Sequence, residues 1–326
     1  MAYNRLWLAG VVCFVCFLLF IRPGFTTVQK PPGPFSPERA AFSIQFKTEV
    51  TPYRVAGVFV LPKETLPIKA IHTRTRERTL ELKAGAGRIV SSEHDSWNWR
   101  APEKTGLCTL KIVDRKTKEA VTLNVFVMVP YERLRGDCIN GYRIGAYPPC
   151  PPKNGDIYAR PRGFIEVTEQ NQYTLVSPHF QLRQFVCKQG QGGRQYIVLR
   201  EKLPIKLEHV LEEVNRRGYR ADTFHVMSGY RTPHYNKSIG NVRYSRHVFG
   251  DAADIFVDSD QDGQMDDLNH DGVIDYSDAL VLKNIVEDLY GEDWYQPFIG
   301  GLGAYRKNRA HGPFVHLDVR GFRARW

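Results

Sequence analysis

Three features of the 326-residue chain predict an α+β fold. Short alternating runs fill residues 40–130, one amphipathic helix spans Leu203 to Arg217, and beyond it helices and strands mix irregularly. Regular βα alternation would instead point to a parallel sheet. The length leaves room for about two domains. A composition of 42% hydrophobic and 25% charged residues gives a globular chain with a sizeable core.

The elements follow in order. After Arg5 an uncharged apolar run, Leu6 to Ile21, leads into Arg22-Pro23-Gly24. It has the length of a long signal-peptide core and is short for a membrane span. Residues 1–24 are therefore expected to be a signal peptide or an uncleaved membrane anchor, with the remainder exported to the periplasm or cell envelope. Residues 25–39, with Pro31, Pro32, Pro34 and Pro37, read as a stiff spacer.

Between 40 and 130 the runs Ala41 to Phe46, Val55 to Leu61, Leu107 to Val113 and Val121 to Met128 alternate with period two between turn signals. That is the pattern of a small antiparallel sandwich. The stretch Trp99-Arg-Ala-Pro-Glu-Lys-Thr-Gly106 resembles the late strands of bacterial immunoglobulin-like domains. A Pro- and Gly-rich connector, 131–163, carries enough aromatic residues to be an ordered crossover. Outside the first apolar run the cysteines are Cys108, Cys138, Cys150 and Cys187, which allow three pairings. Cys138 and Cys150 flank a short loop and are the expected bridge.

The second half begins near Phe164. Apolar residues at 203, 207, 210, 211 and 214 form one helical face, with Pro204 in the first turn and Gly218 at the stop. A short buried strand, Phe224 to Met227, runs into Ser228-Gly-Tyr-Arg231. Two further stretches carry the chemistry: Ser245-Arg-His-Val-Phe-Gly-Asp-Ala-Ala-Asp254 and Phe314-Val-His-Leu-Asp318. His247, Asp254 and His316 can give a zinc ion three ligands and leave its fourth position to water, the mark of a catalytic site. The small residues Gly250, Ala252 and Ala253 allow close backbone approach.

These motifs, with the turn Gly300-Gly-Leu-Gly-Ala-Tyr305, resemble the zinc D-alanyl-D-alanine peptidases, the LAS metallopeptidases that share a fold with the hedgehog signalling domain. The resemblance covers roughly 164–326 and implies a hedgehog/DD-peptidase-like catalytic domain. It implies zinc ligation by His247, Asp254 and His316, and makes Arg231 the group that binds a substrate carboxylate or stabilises an oxyanion. Ser228 and Tyr230 would frame Arg231 on the substrate side, and Ser245 would bond to the ligand shell. The chain departs from the family at the general base. Where many relatives carry a carboxylate three residues before the last ligand stands Pro313, and where others carry a histidine two before it stands Phe314. His311 and Asp318 are the substitutes expected to handle the proton.

Residues 258–278 are a local exception in a chain of formal charge +10. Asp258, Asp260, Asp262 and Asp266 around Gly263 form one candidate calcium loop. Asp267, Asn269, Asp271, Asp275 and Asp278 around Gly272 form a second that resembles a dockerin or EF-hand loop. Structural calcium is expected there. The basic remainder suits an anionic neighbour. No nucleic-acid module motif is present, so peptidoglycan is the expected partner, with a membrane contact through the N-terminal segment. Two functions follow: a peptidase of peptidoglycan stem peptides, or a non-catalytic wall-binding or scaffold protein that keeps the peptidase fold.

Overall fold

The computed structural model describes residues 34–72, 78–151, 153, 155–190 and 193–326. The apolar run 6–21 and most of the spacer lie outside the described residues. Among those described, no helix is long and apolar enough to cross a membrane.

Residues 39–127 form two sheets. Alternating burial explains them: in Arg39–Phe46 and Gly106–Asp114 every second side chain is buried while its neighbours face outward. One sheet has five strands, in the order Glu49–Tyr53, Arg39–Phe46, Thr65–His72, Ser96–Arg100 and Arg88–Glu93. The other has four, in the order Val55–Val60, Ala120–Val127, Gly106–Asp114 and Leu80–Ala84. Val55–Val60 pairs with Ala120–Val127 in parallel, so this sheet is mixed where an antiparallel one was expected. Trp99, Phe42, Phe46 and Leu110 fill the space between the layers.

The second half is a five-stranded sheet with helices packed on it, a mixed α+β arrangement. Its order is His225–Ser228, Ala252–Phe256, Phe314–Asp318, Gly301–Tyr305 and Ala324–Arg325. Helix α1, Lys202–Arg216, buries Leu203, Leu207, Val210, Leu211 and Val214, the face its apolar spacing predicts. The short α2, Pro233–Ser238, starts with Pro at its first position, and the Thr232 hydroxyl caps it by accepting from the Tyr235 N–H. Helix α3, Tyr276–Leu289, follows the acidic insert.

Residues 35–326 form one compact unit. The sandwich meets the second half through polar and apolar contacts alike. Tyr53 Oη lies 3.1 Å from His209 Nδ1, Asn124 Nδ2 donates to the Leu175 carbonyl at 2.9 Å, and Lys47 pairs with Glu201 at 2.5 Å. Gly57 lies so close to Val176 that a Cβ there would stand 3.1 Å from it. Ile139 and Ile144 of the connector share a small core with Phe164 and Tyr196 of the second half. The expected Cys138–Cys150 bridge does not form. All four described cysteines are free. The Cys138 thiol donates instead to Asp137 at 3.3 Å, and that of Cys150 turns to the Tyr158 carbonyl at 3.6 Å.

Candidate metal centre

The strand Ala252–Phe256 is buried along its whole length, and its neighbours fix what each residue faces. On one side Asp254 lies opposite Ser228, and on the other it lies opposite His316. A cross-strand pair brings the two side chains to one face. His247 arrives from outside the sheet on a one-turn 3₁₀ segment, Arg246–Phe249. That turn ends at Gly250 with φ +71°, where a Cβ would lie 2.4 Å from the Val198 carbonyl oxygen. Glycine is therefore required at this step.

Three ligand atoms converge. His247 Nε2 lies 3.1 Å from Asp254 Oδ1 and 3.2 Å from His316 Nδ1, which is itself 2.8 Å from Asp254 Oδ1. All three residues are buried, with ligand atoms within 4.8 Å of one another. The outer bonds set the tautomers. His247 Nδ1 faces the Gly229 carbonyl at 2.7 Å and must carry the proton, leaving Nε2 free for a metal. His316 Nε2 faces Asp318 Oδ2 at 3.4 Å, which leaves Nδ1 for the metal. Burial lowers the His247 pKa and so favours its neutral, ligating form. Burial also acts to lower that of His316, but its bonds to Asp254 and Asp318 outweigh this and leave it raised. For Asp254, burial acts upward, and the adjacent imidazoles outweigh it and hold the carboxyl well below its ordinary range. Two imidazoles and one ionised carboxylate, gathered in a buried pocket, fit zinc.

The remaining expected residues divide. Arg231 joins the centre: Nη2 reaches Asp254 Oδ2 at 2.5 Å and Nε donates to Ser228 Oγ at 2.8 Å. Ser228 thus holds the arginine in place. Ser245 lines the cleft beside His247. Tyr230 is not a substrate-side residue, because it is buried with its hydroxyl 2.7 Å from that of Tyr147 in the connector.

His311 does not reach the centre. Its Nε2 lies 2.8 Å from Asn308 Nδ2, its Nδ1 2.8 Å from the Gly312 carbonyl, and it is not among the cleft-lining residues. Asp318 is fully engaged. It receives Arg320 Nε and Nη2, the Gly301 N–H at 2.8 Å and the His316 edge. Burial acts to raise its pKa, but His316 and Arg320 prevail and keep it deprotonated. It orients His316 and has no spare capacity as a base.

The cleft above the three ligands has a volume of about 370 Å³. Its walls include Tyr305 and Phe314 from the motifs, and Tyr244, Arg320 and Trp326, which the motifs did not single out. The Tyr305 ring stacks on Phe314 at 4.6 Å, and the Trp326 ring lies 5.1 Å from that of His316 while its indole N–H donates to Tyr305 Oη. Tyr305 closes the Gly-rich turn and so had a sequence signal. Trp326 had none.

In the insert, Asp278 serves the backbone. It is buried in the first turn of α3, where one oxygen accepts the N–H groups of Leu268 and Asn269 and the other that of Asp275. With Asp275 it forms the capping box of the helix. Asp275 Oδ1 accepts from the Ser277 N–H at 2.7 Å in the same cap.

No curated protein matches the chain. Residues 178–273 match the family model described as Peptidase M15, a segment that contains Arg231, His247 and Asp254 and stops before His316. The third ligand comes from beyond the matched segment through strand pairing. The similarity to Peptidase M15 thus covers the segment that carries Arg231 and two of the three converged side chains, His247 and Asp254.

Proposed function

We propose that the protein is a zinc-dependent peptidase of the hedgehog/DD-peptidase fold that cleaves peptidoglycan stem peptides in the cell envelope, the chain being exported by its N-terminal segment. The observation that carries this reading is the meeting of His247, Asp254 and His316 beside Arg231, with Arg231, His247 and Asp254 inside the segment 178–273 that is similar to Peptidase M15. When bound, zinc supplies Lewis acidity toward a carbonyl and lowers the pKa of water.

The chain's own residues do the rest. Asp318 and the Gly229 carbonyl hold the two imidazoles in their ligating tautomers. Arg231, anchored by Ser228, presents a guanidinium suited to a terminal carboxylate or a developing oxyanion. Burial raises the pKa of Tyr305 against the bond from Trp326, so its hydroxyl stays protonated and able to donate. Arg246 and Arg320 also line the cleft, each paired with a carboxylate, Asp251 and Asp318.

A second reading, a peptidoglycan-binding or scaffold protein without turnover, draws on the proton route. Pro313 and Phe314 replace the family's base, His311 is bonded elsewhere and Asp318 is fully paired. Metal analysis and digestion of purified sacculi separate the two. The peptidase reading expects about one zinc per chain and released peptide products, with both lost in His316→Ala. Zinc-loaded protein that binds sacculi and releases nothing would establish the second reading.

A further inference from the structure

The strand that carries Asp254 ends at Phe256, two residues before the acidic insert begins at Asp258, whose carboxylate is poorly accounted for. Only 6% of the Asp258 side chain is exposed. Its Oδ2 is occupied by His225 Nδ1 at 3.1 Å and the Gly263 N–H at 3.2 Å. Its Oδ1 is shielded from solvent and has no hydrogen-bond partner among the described residues. A buried carboxylate oxygen left without a donor is costly, and native structures give such an atom a partner, often an ion.

Asp260 and Asp262 bring exposed carboxylates to the same place, and the three residues offer ligand atoms within 4.8 Å of one another. We infer that Asp258, Asp260 and Asp262 hold one calcium ion at the exit of the Asp254 strand. An all-oxygen donor set selects a hard cation. Carboxylates at loop positions one, three and five, with glycine at six, match the calcium-loop pattern, and Gly263 has the φ of +83° that such a bend requires. Several protein oxygens around one ion suit calcium better than magnesium, which keeps most of its water.

The second loop differs. Its Asp267 accepts the N–H groups of Asp271 and Gly272 much as Asp258 accepts that of Gly263, but none of its oxygens is both buried and unpartnered. The calcium site is therefore assigned to the first loop alone.

Calorimetric titration of the zinc-saturated full-length chain with calcium chloride tests this without reference to activity. The expected result is one calcium per chain, with magnesium at least ~10-fold weaker. The double variant Asp260→Asn/Asp262→Asn removes two exposed charges and spares the buried Asp258. It should weaken calcium at least ~10-fold while zinc content stays unchanged. Asp271→Asn in the second loop should leave the affinity as it was. Absence of calcium binding, equal affinity for magnesium, an unchanged double variant, or loss on Asp271→Asn would each overturn the assignment.

Discussion

His316 shows how much one residue's chemistry depends on its neighbours. Its Nδ1 is directed at Asp254 because its Nε2 is directed at Asp318, and Asp318 is fixed in turn by Arg320 and the Gly301 N–H. The glycine turn makes room for that carboxylate: a Cβ on Gly301 would lie 2.3 Å from Asp318 Oδ2. Asp318→Asn keeps the shape and removes the charge, so the protein should fold but hold zinc about 10–100-fold more weakly, as measured by competition with a chromophoric chelator. The ligand positions themselves were legible, because each histidine and the aspartate lay in a strand-like or glycine-marked motif. The role of His311 was not. Its spacing from His316 suggested a base, but Asn308 and the Gly312 carbonyl lie closer along the chain and take both ring nitrogens. Tyr230 was misread for a related reason, since the Tyr147 that meets its hydroxyl comes from a distant connector.

Among the elements, α1 was legible from its apolar spacing, yet one residue on it was not. Lys206 is fully buried beneath the sheet, where Nζ donates to the Asp318 carbonyl at 2.8 Å and to Tyr290 Oη at 3.0 Å. Burial pushes its pKa down to about 7. The unfolded chain takes up this proton below roughly pH 10.4, the folded chain only below about 7. Across that window unfolding binds a proton, so stability should rise with pH, by at most a few kcal/mol. Denaturant melts at pH 7 and pH 9.5 check the sign, and Lys206→Met should flatten the rise. In the sandwich, the runs beginning at Ala41, Leu107 and Val121 became strands with alternate side chains buried, while Val55–Val60 is buried on both faces. Arg88–Glu93 gave no signal, since all six of its side chains are exposed and only its pairing with Ser96–Arg100 makes it a strand.

For the molecule as a whole, residues 35–326 form one compact unit. One hydrophobic cluster runs from Phe42 in the sandwich through Val176 and Leu207 to Leu317 beside the metal ligands. Nothing local in the sequence encodes such a contact, because Gly57 and Val176, or Tyr53 and His209, are far apart along the chain. A fragment beginning at residue 131 would uncover these surfaces and lose the Tyr53, Asn124 and Lys47 bonds. Its melting temperature should fall by roughly 5–10 °C relative to the intact chain, with increased binding of an apolar dye. An unchanged melt would mean that the sandwich contributes nothing to the other half's stability.

The ring of Trp326 against His316 has a practical corollary. A polyhistidine purification handle fused after Trp326 would begin at a residue of the cleft wall and bring extra imidazoles near His247, Asp254 and His316. Recombinant protein tagged in that way should carry more zinc per chain than the untagged form, and proteolytic removal of the handle should bring the two to the same metal content.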